Sequence, residues 1–308
     1  MPAIRDLLER QLVAGNGSFE VWAVVGMNLG LLYWIDRDWL ARSVSSFFDL
    51  ESVIADPDHA YGWAAWNAFL VWVRPHPEFF KLLRTQFKFA VEQAAVVPPK
   101  EREREQPFHK LGEHLIFLYA QGKLGLKDEG DLLERFLSVS LPATRSYAID
   151  FAGRIAFENE ELPSEVVERL KALWNWYWPN VGSKDTRKDV GARSFGMWFA
   201  SGKFDAAWSM EELEKSVAVI GVPELDGPVV EELAKIAGTD IVKAMEIVDR
   251  LERADAVGDG WHISGWVDDF KKILELALKD GGRPKEIAEA VIDRLGRRGF
   301  IEFGALLG

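Results

Sequence analysis

Apolar residues along this chain recur at the spacing of an α-helix. After Pro163, the residues Val166, Leu170, Leu173, Trp174 and Tyr177 fall at i, i+4, i+7, i+8 and i+11, one helical stripe. Ile241, Met245, Val248 and Leu251 keep the same rhythm, as do Ile287, Val291 and Leu295. Punctuation agrees with it. Ser209 followed by Glu212 reads as a capping box, Asp226-Gly227-Pro228 and Arg283-Pro284 place proline at helix starts, and Gly296 and Gly299 fall where helices stop. The pattern predicts helices near 2–13, 18–35, 37–48, 58–73, 77–96, 107–121, 129–139, 143–158, 164–178, 187–201, 209–220, 228–237, 240–253, 263–279 and 284–297. Alternation at period two is scarce, and only Gly260–Ser264 reads as one strand of a small hairpin.

A six-residue phrase returns three times within this pattern. Glu165–Leu170 reads EVVERL, Glu246–Leu251 reads EIVDRL and Ala290–Leu295 reads AVIDRL, at offsets of 81 and 44 positions. Gln121-Gly122-Lys123-Leu124 recurs as Ser201-Gly202-Lys203-Phe204, and Leu133-Glu134-Arg135 as Leu213-Glu214-Lys215. Recurrence near 40 and 80 residues in a helical chain is the mark of stacked helix pairs.

Several helices are apolar on more than one face. Trp174-Asn175-Trp176-Tyr177-Trp178 puts aromatics around most of a turn, and Trp63, Trp66, Phe69, Leu70 and Trp72 nearly do the same. Such helices need cover on at least two sides, which the inner helix of a solenoid pair receives. The longest apolar run, Val21–Ile35, has 15 residues and reads as a buried helix. At about 22 Å it is short of a bilayer core of about 30 Å. Two stretches break the rhythm: Pro98–Pro107, charged and bracketed by prolines, and the shorter polar Asn180–Asp185.

Composition narrows the function classes. The chain has 308 residues, 48% of them hydrophobic and 28% charged, as in a folded protein. Its 13 tryptophans are the outlier, and core packing accounts for most of them. No cysteine is present, which excludes disulfides and thiolate metal sites and fits a reducing cytosol. Arg5, Asp6, Glu9 and Arg10 interrupt any early apolar run, so no targeting signal opens the chain and the expected compartment is cytoplasmic. The formal charge is −12, so a surface of this composition repels phosphate unless its cations are segregated. Residues 1–100 are nearly balanced, with nine basic and eleven acidic residues. The one visible basic cluster is Arg283, Lys285, Arg294, Arg297 and Arg298, read as the solvated face of the last helix, with a phosphate-binding patch as the alternative.

Candidate chemistry is sparse. His109 and His114 stand five apart, about 500° of helical rotation, so their imidazoles diverge where a zinc helix needs them aligned. His59 follows a capping run, His76 sits in a turn and His262 belongs to the expected hairpin. Gly122-Lys123 and Gly202-Lys203 lack the upstream glycine and the following Ser or Thr of a P-loop, and read as turns between paired helices. Gly15-Asn16-Gly17, Gly191–Gly196 and Asp255–Gly260 fail as dinucleotide fingerprint, nucleophile elbow and calcium loop in turn. No catalytic, cofactor-binding or metal residue is assigned, and no cofactor is expected.

Asp36-Arg37-Asp38-Trp39-Leu40, Ala65–Leu70, Leu173–Pro179 and the run from Gly260 through Ile301-Glu302-Phe303 form an aromatic pattern spread over most of the chain. It resembles the carboxyl-terminal helical region of large bacterial multidomain proteins of suspected antiviral-defence type, which carry a sirtuin-like or nucleotide-binding effector in front. The effector motifs themselves are absent here, so the resemblance implies either the recognition part of such a system or a free-standing relative, and no NAD or ATP chemistry.

The expected fold is an all-α, HEAT-like solenoid of stacked antiparallel helix pairs, about seven in number. Residues 1–97 form an aromatic-rich N-terminal helical segment, 98–107 an exposed charged connection, and 108–308 a helical-repeat segment continuous with the first. The expected function is a non-enzymatic module that binds a protein partner, as sensor or scaffold, with neither membrane nor nucleic acid as its target. Two alternatives stay open. One is an enzyme on an all-α scaffold with its site assembled from several repeats. The other is winged-helix-like DNA binding around 228–264, which the acidic residues of its reading helix (Asp240, Glu246, Asp249, Glu252 and Asp255) disfavour.

Overall fold

The computed structural model describes residues 5–10, 18–51, 61–94, 105–127, 130–180, 190–258 and 260–308, and among them every regular element is a helix. His59 and most of the expected connection, 98–104, lie outside the described residues, as do 181–185 of the second polar break. The chain divides into two compact units, Met1–Ala148 and Ile149–Gly308. The division falls inside one helix.

The first unit holds α1 (Phe19–Met27), α2 (Leu29–Ile35), α3 (Arg37–Phe47), α4 (Tyr61–Trp72), α5 (Pro77–Leu82), α6 (Arg84–Gln93), α7 (Glu105–Ala120) and α8 (Leu132–Val139), and α9 (Pro142–Glu158) crosses the division. Helix starts are fixed by side chains that accept otherwise orphaned amides: Ser18 Oγ from Val21 N (3.3 Å) and Asp36 Oδ1 from Trp39 N (2.9 Å). α1 lies on α4, α4 on α7, and α6 on α8. The first of these crossings is possible because Gly26 has no side chain. A Cβ there would stand 1.9 Å from Ala65 O. Behind it, Trp66, Phe69 and Phe87 are almost wholly buried and meet edge to face or tilted, with Trp66 and Phe87 centroids 5.0 Å apart.

The second unit holds α10 (Ser164–Asn180), α11 (Phe195–Ala200), α12 (Ala206–Ile220), α13 (Asp226–Ile236), α14 (Ile241–Val257), α15 (Ile263–Asp280), α16 (Gly282–Arg297) and a closing 3-10 segment (Ile301–Leu307). Contacts between helices alternate. α11 touches α13, which touches α15, while α12 touches α14, which touches α16. The pairs α11–α12, α14–α15 and α15–α16 tie these two rows together. α10 joins the row of α12 through Trp174 Nε1, which donates to Glu212 Oε2 at 3.0 Å, and through the Lys171–Asp205 ion pair.

The recurring phrase sits alike in its copies. Ile247, Val248 and Leu251 of α14 are buried, as are Val291, Ile292 and Leu295 of α16; in α10, Val166 and Leu170 are buried and Val167 is half-buried. The second recurrence is a pair of turns. Gly122 and Gly202 take left-handed conformations (φ +65° and +62°), donate to Tyr119 O and Phe199 O, and are followed two residues on by buried Leu124 and Phe204.

Three local expectations are corrected. Helix α12 begins at Ala206, not Ser209, because Asp205 takes the cap through Trp208 N (2.9 Å). Ser209 and Glu212 are buried, and Glu212 serves Trp174 and Lys215 instead of a capping box. Gly260–Ser264 is no strand: Asp255 Oδ1 accepts from His262 N at 3.0 Å and turns the chain into α15, whose first residue, Ile263, is fully buried. Val21–Ile35 is buried on one face only, as described next.

Candidate interaction surfaces

Asn28 interrupts the apolar run between α1 and α2 without ending its hydrogen-bond ladder. Asn28 N donates to Val24 O and Leu32 N to Asn28 O, at 3.1 and 3.0 Å. Trp22, Val25, Leu29, Leu32 and Tyr33 face inward. Val24, Met27, Leu31, Trp34 and Ile35 face outward, at i, i+3, i+7, i+10 and i+11, with Leu31 58% and Trp34 79% exposed. A contiguous apolar stripe of this kind marks an interaction site more often than scattered single residues do.

The tryptophans divide by burial. Trp22, Trp39, Trp66, Trp174, Trp198 and Trp266 are buried; Trp63, Trp176, Trp178 and Trp208 are half-buried; Trp34, Trp72 and Trp261 stand in solvent. Most are therefore packing residues. The three exposed ones were indistinguishable from them in the sequence.

In the second unit, Arg283, Arg294 and Arg298 of the basic cluster turn onto the acidic face of α14, while Lys285 and Arg297 stay exposed on or at the end of α16. Arg294 Nε meets Glu252 Oε2 at 2.6 Å, and its Nη2 pairs with Asp249. Arg298 bridges Glu252 Oε1 (3.0 Å) and Asp255 Oδ2 (2.5 Å). Glu252 and Asp255 are fully buried, so these pairs are shielded from solvent. Arg283 pairs with Glu246, Lys285 with Glu289 and Arg297 with Asp293. The cluster is neither a solvated face throughout nor a free patch for phosphate. Burial pulls the Asp249 carboxyl up, but hydrogen bonds from Arg253 and Arg294 outweigh it and hold the group below its ordinary value. A groove of about 710 Å³ along α12, α14 and α16 exposes the outer part of this network, with Glu214, Glu246, Asp249 and Glu286 set among Arg250, Arg253, Arg283 and Arg294.

The network ends in an arrangement with no local sequence signal. Asp226 Oδ2, at the start of α13, lies 2.6 Å from His262 Nδ1 and accepts from Trp266 Nε1 at 3.1 Å. The partners are 36 and 40 residues away in sequence. Of the other histidines, His109 stacks on Tyr147 with centroids 4.6 Å apart. His114 is buried against Phe69 and its Nε2 lies 3.2 Å from Leu70 O. Burial pushes its pKa down to about 4, against smaller raising effects of that carbonyl and of Glu113. His76 caps α5, with Nδ1 accepting from Glu78 N at 3.2 Å. Among the described residues no group of three His, Asp or Glu is placed to hold a metal ion, and no helix is long and apolar enough to cross a membrane. Comparison with protein-family models, with curated proteins and with solved structures returns no match.

Proposed function

We propose that this chain is a non-enzymatic helical-repeat module of HEAT-like design that binds another polypeptide. The observation that carries the reading is the exposed stripe Val24, Met27, Leu31, Trp34 and Ile35 on α1 and α2. Tryptophan presented with aliphatic neighbours is a favoured anchor of protein interfaces. The repeat design draws support from the alternating rows of the second unit and from the like burial of EIVDRL and AVIDRL in α14 and α16. A role as sensor or scaffold in a prokaryotic defence system rests on the resemblance of its aromatic pattern alone. The test is capture of partners from the native host by the wild-type chain and by Leu31→Ser/Trp34→Ser. A protein retained by the wild type and lost with the variant, whose circular dichroism is unchanged, is the expected result. Identical captured sets would remove the stripe from the reading.

A second reading, an enzyme on an all-α scaffold, has one observation in its favour. Asp226 engages His262 Nδ1, while His262 Nε2 has no partner among the described residues, the arrangement of an oriented general base. A thermal-shift panel of metals and nucleotides separates the two readings. A large, concentration-dependent shift that His262→Asn abolishes would favour the enzyme.

A further inference from the structure

The run Val21–Ile35 holds no charged residue, in a chain where 28% of residues are charged. Its outward residues Val24, Met27, Leu31 and Trp34 alternate three and four apart, the spacing of a coiled-coil seam, with Ile35 beside it. A seam of this period fits another of the same period, each side chain seating between those of the facing helix. The platform behind it is fixed. Gly26 lets α1 lie directly against Ala65 of α4. Trp34 stands edge to face on Tyr33, with ring centroids 5.8 Å apart. Tyr33 in turn is held by Glu78 (3.1 Å) and by the ring of Phe79 (5.6 Å). An anchor fixed before contact loses little freedom on contact.

Charge and area select the occupant. Chains of formal charge −12 repel one another, so two copies approach at least cost over a stretch where neither is charged. An uncharged seam offers nothing that selects an acidic or a basic partner, whereas its own copy matches it in length and period. Trp34 exposes about 200 Å² and the four smaller side chains together about 300 Å². About 500 Å² per copy falls below the roughly 800 Å² per partner of a stable interface. Such an area suits a weak pair that forms as concentration rises.

A parallel pair would set Glu20 of α1 against its own copy and align the two helix dipoles. An antiparallel pair removes both conflicts. Centred at the level of Leu29, it puts small Val24 opposite large Trp34 and Met27 opposite Leu31, and Glu20 faces the mixed end Asp36-Arg37-Asp38. We propose that two copies of this chain pair antiparallel through α1 and α2, across a two-fold axis. The proposal rests on the reading of the stripe as a protein-binding face and names its occupant as a second copy.

The test is sedimentation equilibrium of the full chain from about 1 μM to about 0.5 mM, a range that brackets the affinity of so small an interface. A monomer–dimer equilibrium with a dissociation constant of about 10⁻⁵–10⁻⁴ M is expected. Leu31→Ser/Trp34→Ser should weaken it at least about a hundredfold and leave monomer throughout. Trp261→Ser, which removes an equally exposed tryptophan of the second unit, should pair as the wild type does. Disulfide capture reads the direction, and it is clean because the chain has no cysteine. Val24→Cys mixed with Ile35→Cys should cross-link, and Val24→Cys alone should not, its copy lying about 15 Å away. Circular dichroism verifies that each variant is folded, and every substituted side chain is exposed. Monomer at every concentration, pairing that survives Leu31→Ser/Trp34→Ser, or Val24→Cys cross-linking to itself would overturn the proposal. Monomer together with stripe-dependent capture of a host protein of different sequence strikes the second copy alone. Monomer without such capture removes the protein-binding reading of the stripe as well.

Discussion

Among single residues, burial decides what a change does, and two groups make the contrast measurable. His114 is buried and neutral in the fold, with its pKa pushed down to about 4 from an ordinary 6.5. Between those values the unfolded chain takes up a proton that the folded chain refuses. Stability from this group is therefore complete above pH 6.5 and falls as the pH drops toward 4, by about 3 kcal/mol in all. Chemical denaturation across that range should show the slope, and His114→Leu should flatten it while losing the bond to Leu70 O. A pH dependence unchanged in the variant would assign it to other groups. The tryptophans give the second contrast. Trp174→Ala empties a fully buried site and strips Glu212 of its indole donor, so a loss of about 3–5 kcal/mol is expected. Trp34→Ala, at 79% exposure, should stay within about 0.5 kcal/mol of the wild type. Equal losses from the two would mean that the outer stripe is covered by something within the chain.

Between helices, stability depends on close approach and on shielded ion pairs, and each has a variant that exposes it. Gly26→Ala places a methyl group into Ala65 O, so α1 and α4 must separate, at about 1–3 kcal/mol. Gly265→Ala, in the first turn of α15 with nothing within 4 Å, should be neutral or stabilising by up to about 1 kcal/mol. Arg298→Ala leaves Asp255 and Glu252 buried with a partner missing, and a loss of about 3 kcal/mol is expected in urea titrations. Arg298→Lys keeps the charge but cannot bridge both carboxylates, so it should fall between. Here the reach of the sequence becomes plain. Helix periodicity is a local property, and the stripes through Val166–Tyr177 and Ile241–Leu251 marked real helices with the right faces inward. The ends were less legible, because a cap is one side chain among several candidates and Asp205 took the place expected of Ser209. Both halves of the ion network were visible, as acids along α14 and as arginines near the end. Their pairing was not, since it depends on how α16 lies on α14. The contact of Asp226 with His262 had no periodic trace at all.

For the whole molecule the governing quantity is charge and where it is spent. The chain carries −12 overall, and its one sequence-visible basic cluster is matched cation by cation: Arg283 to Glu246, Lys285 to Glu289, Arg294 to Glu252 and Asp249, Arg297 to Asp293, and Arg298 to Glu252 and Asp255. A duplex bound through its backbone must release counterions from several phosphates along one face; Arg294 and Arg298 are held by the buried Glu252 and Asp255, and each of the other three stands beside a carboxylate that repels phosphate. The expected outcome is that the chain shows no binding to a fluorescently labelled DNA duplex by anisotropy at about 0.15 M salt, where basic proteins bind non-specifically at roughly 10⁻⁴–10⁻⁶ M. If instead duplex binding appears and its affinity falls steeply with added salt, a contiguous basic face exists, and the winged-helix alternative for residues 228–264 regains its standing despite the absence of a strand among the described residues there.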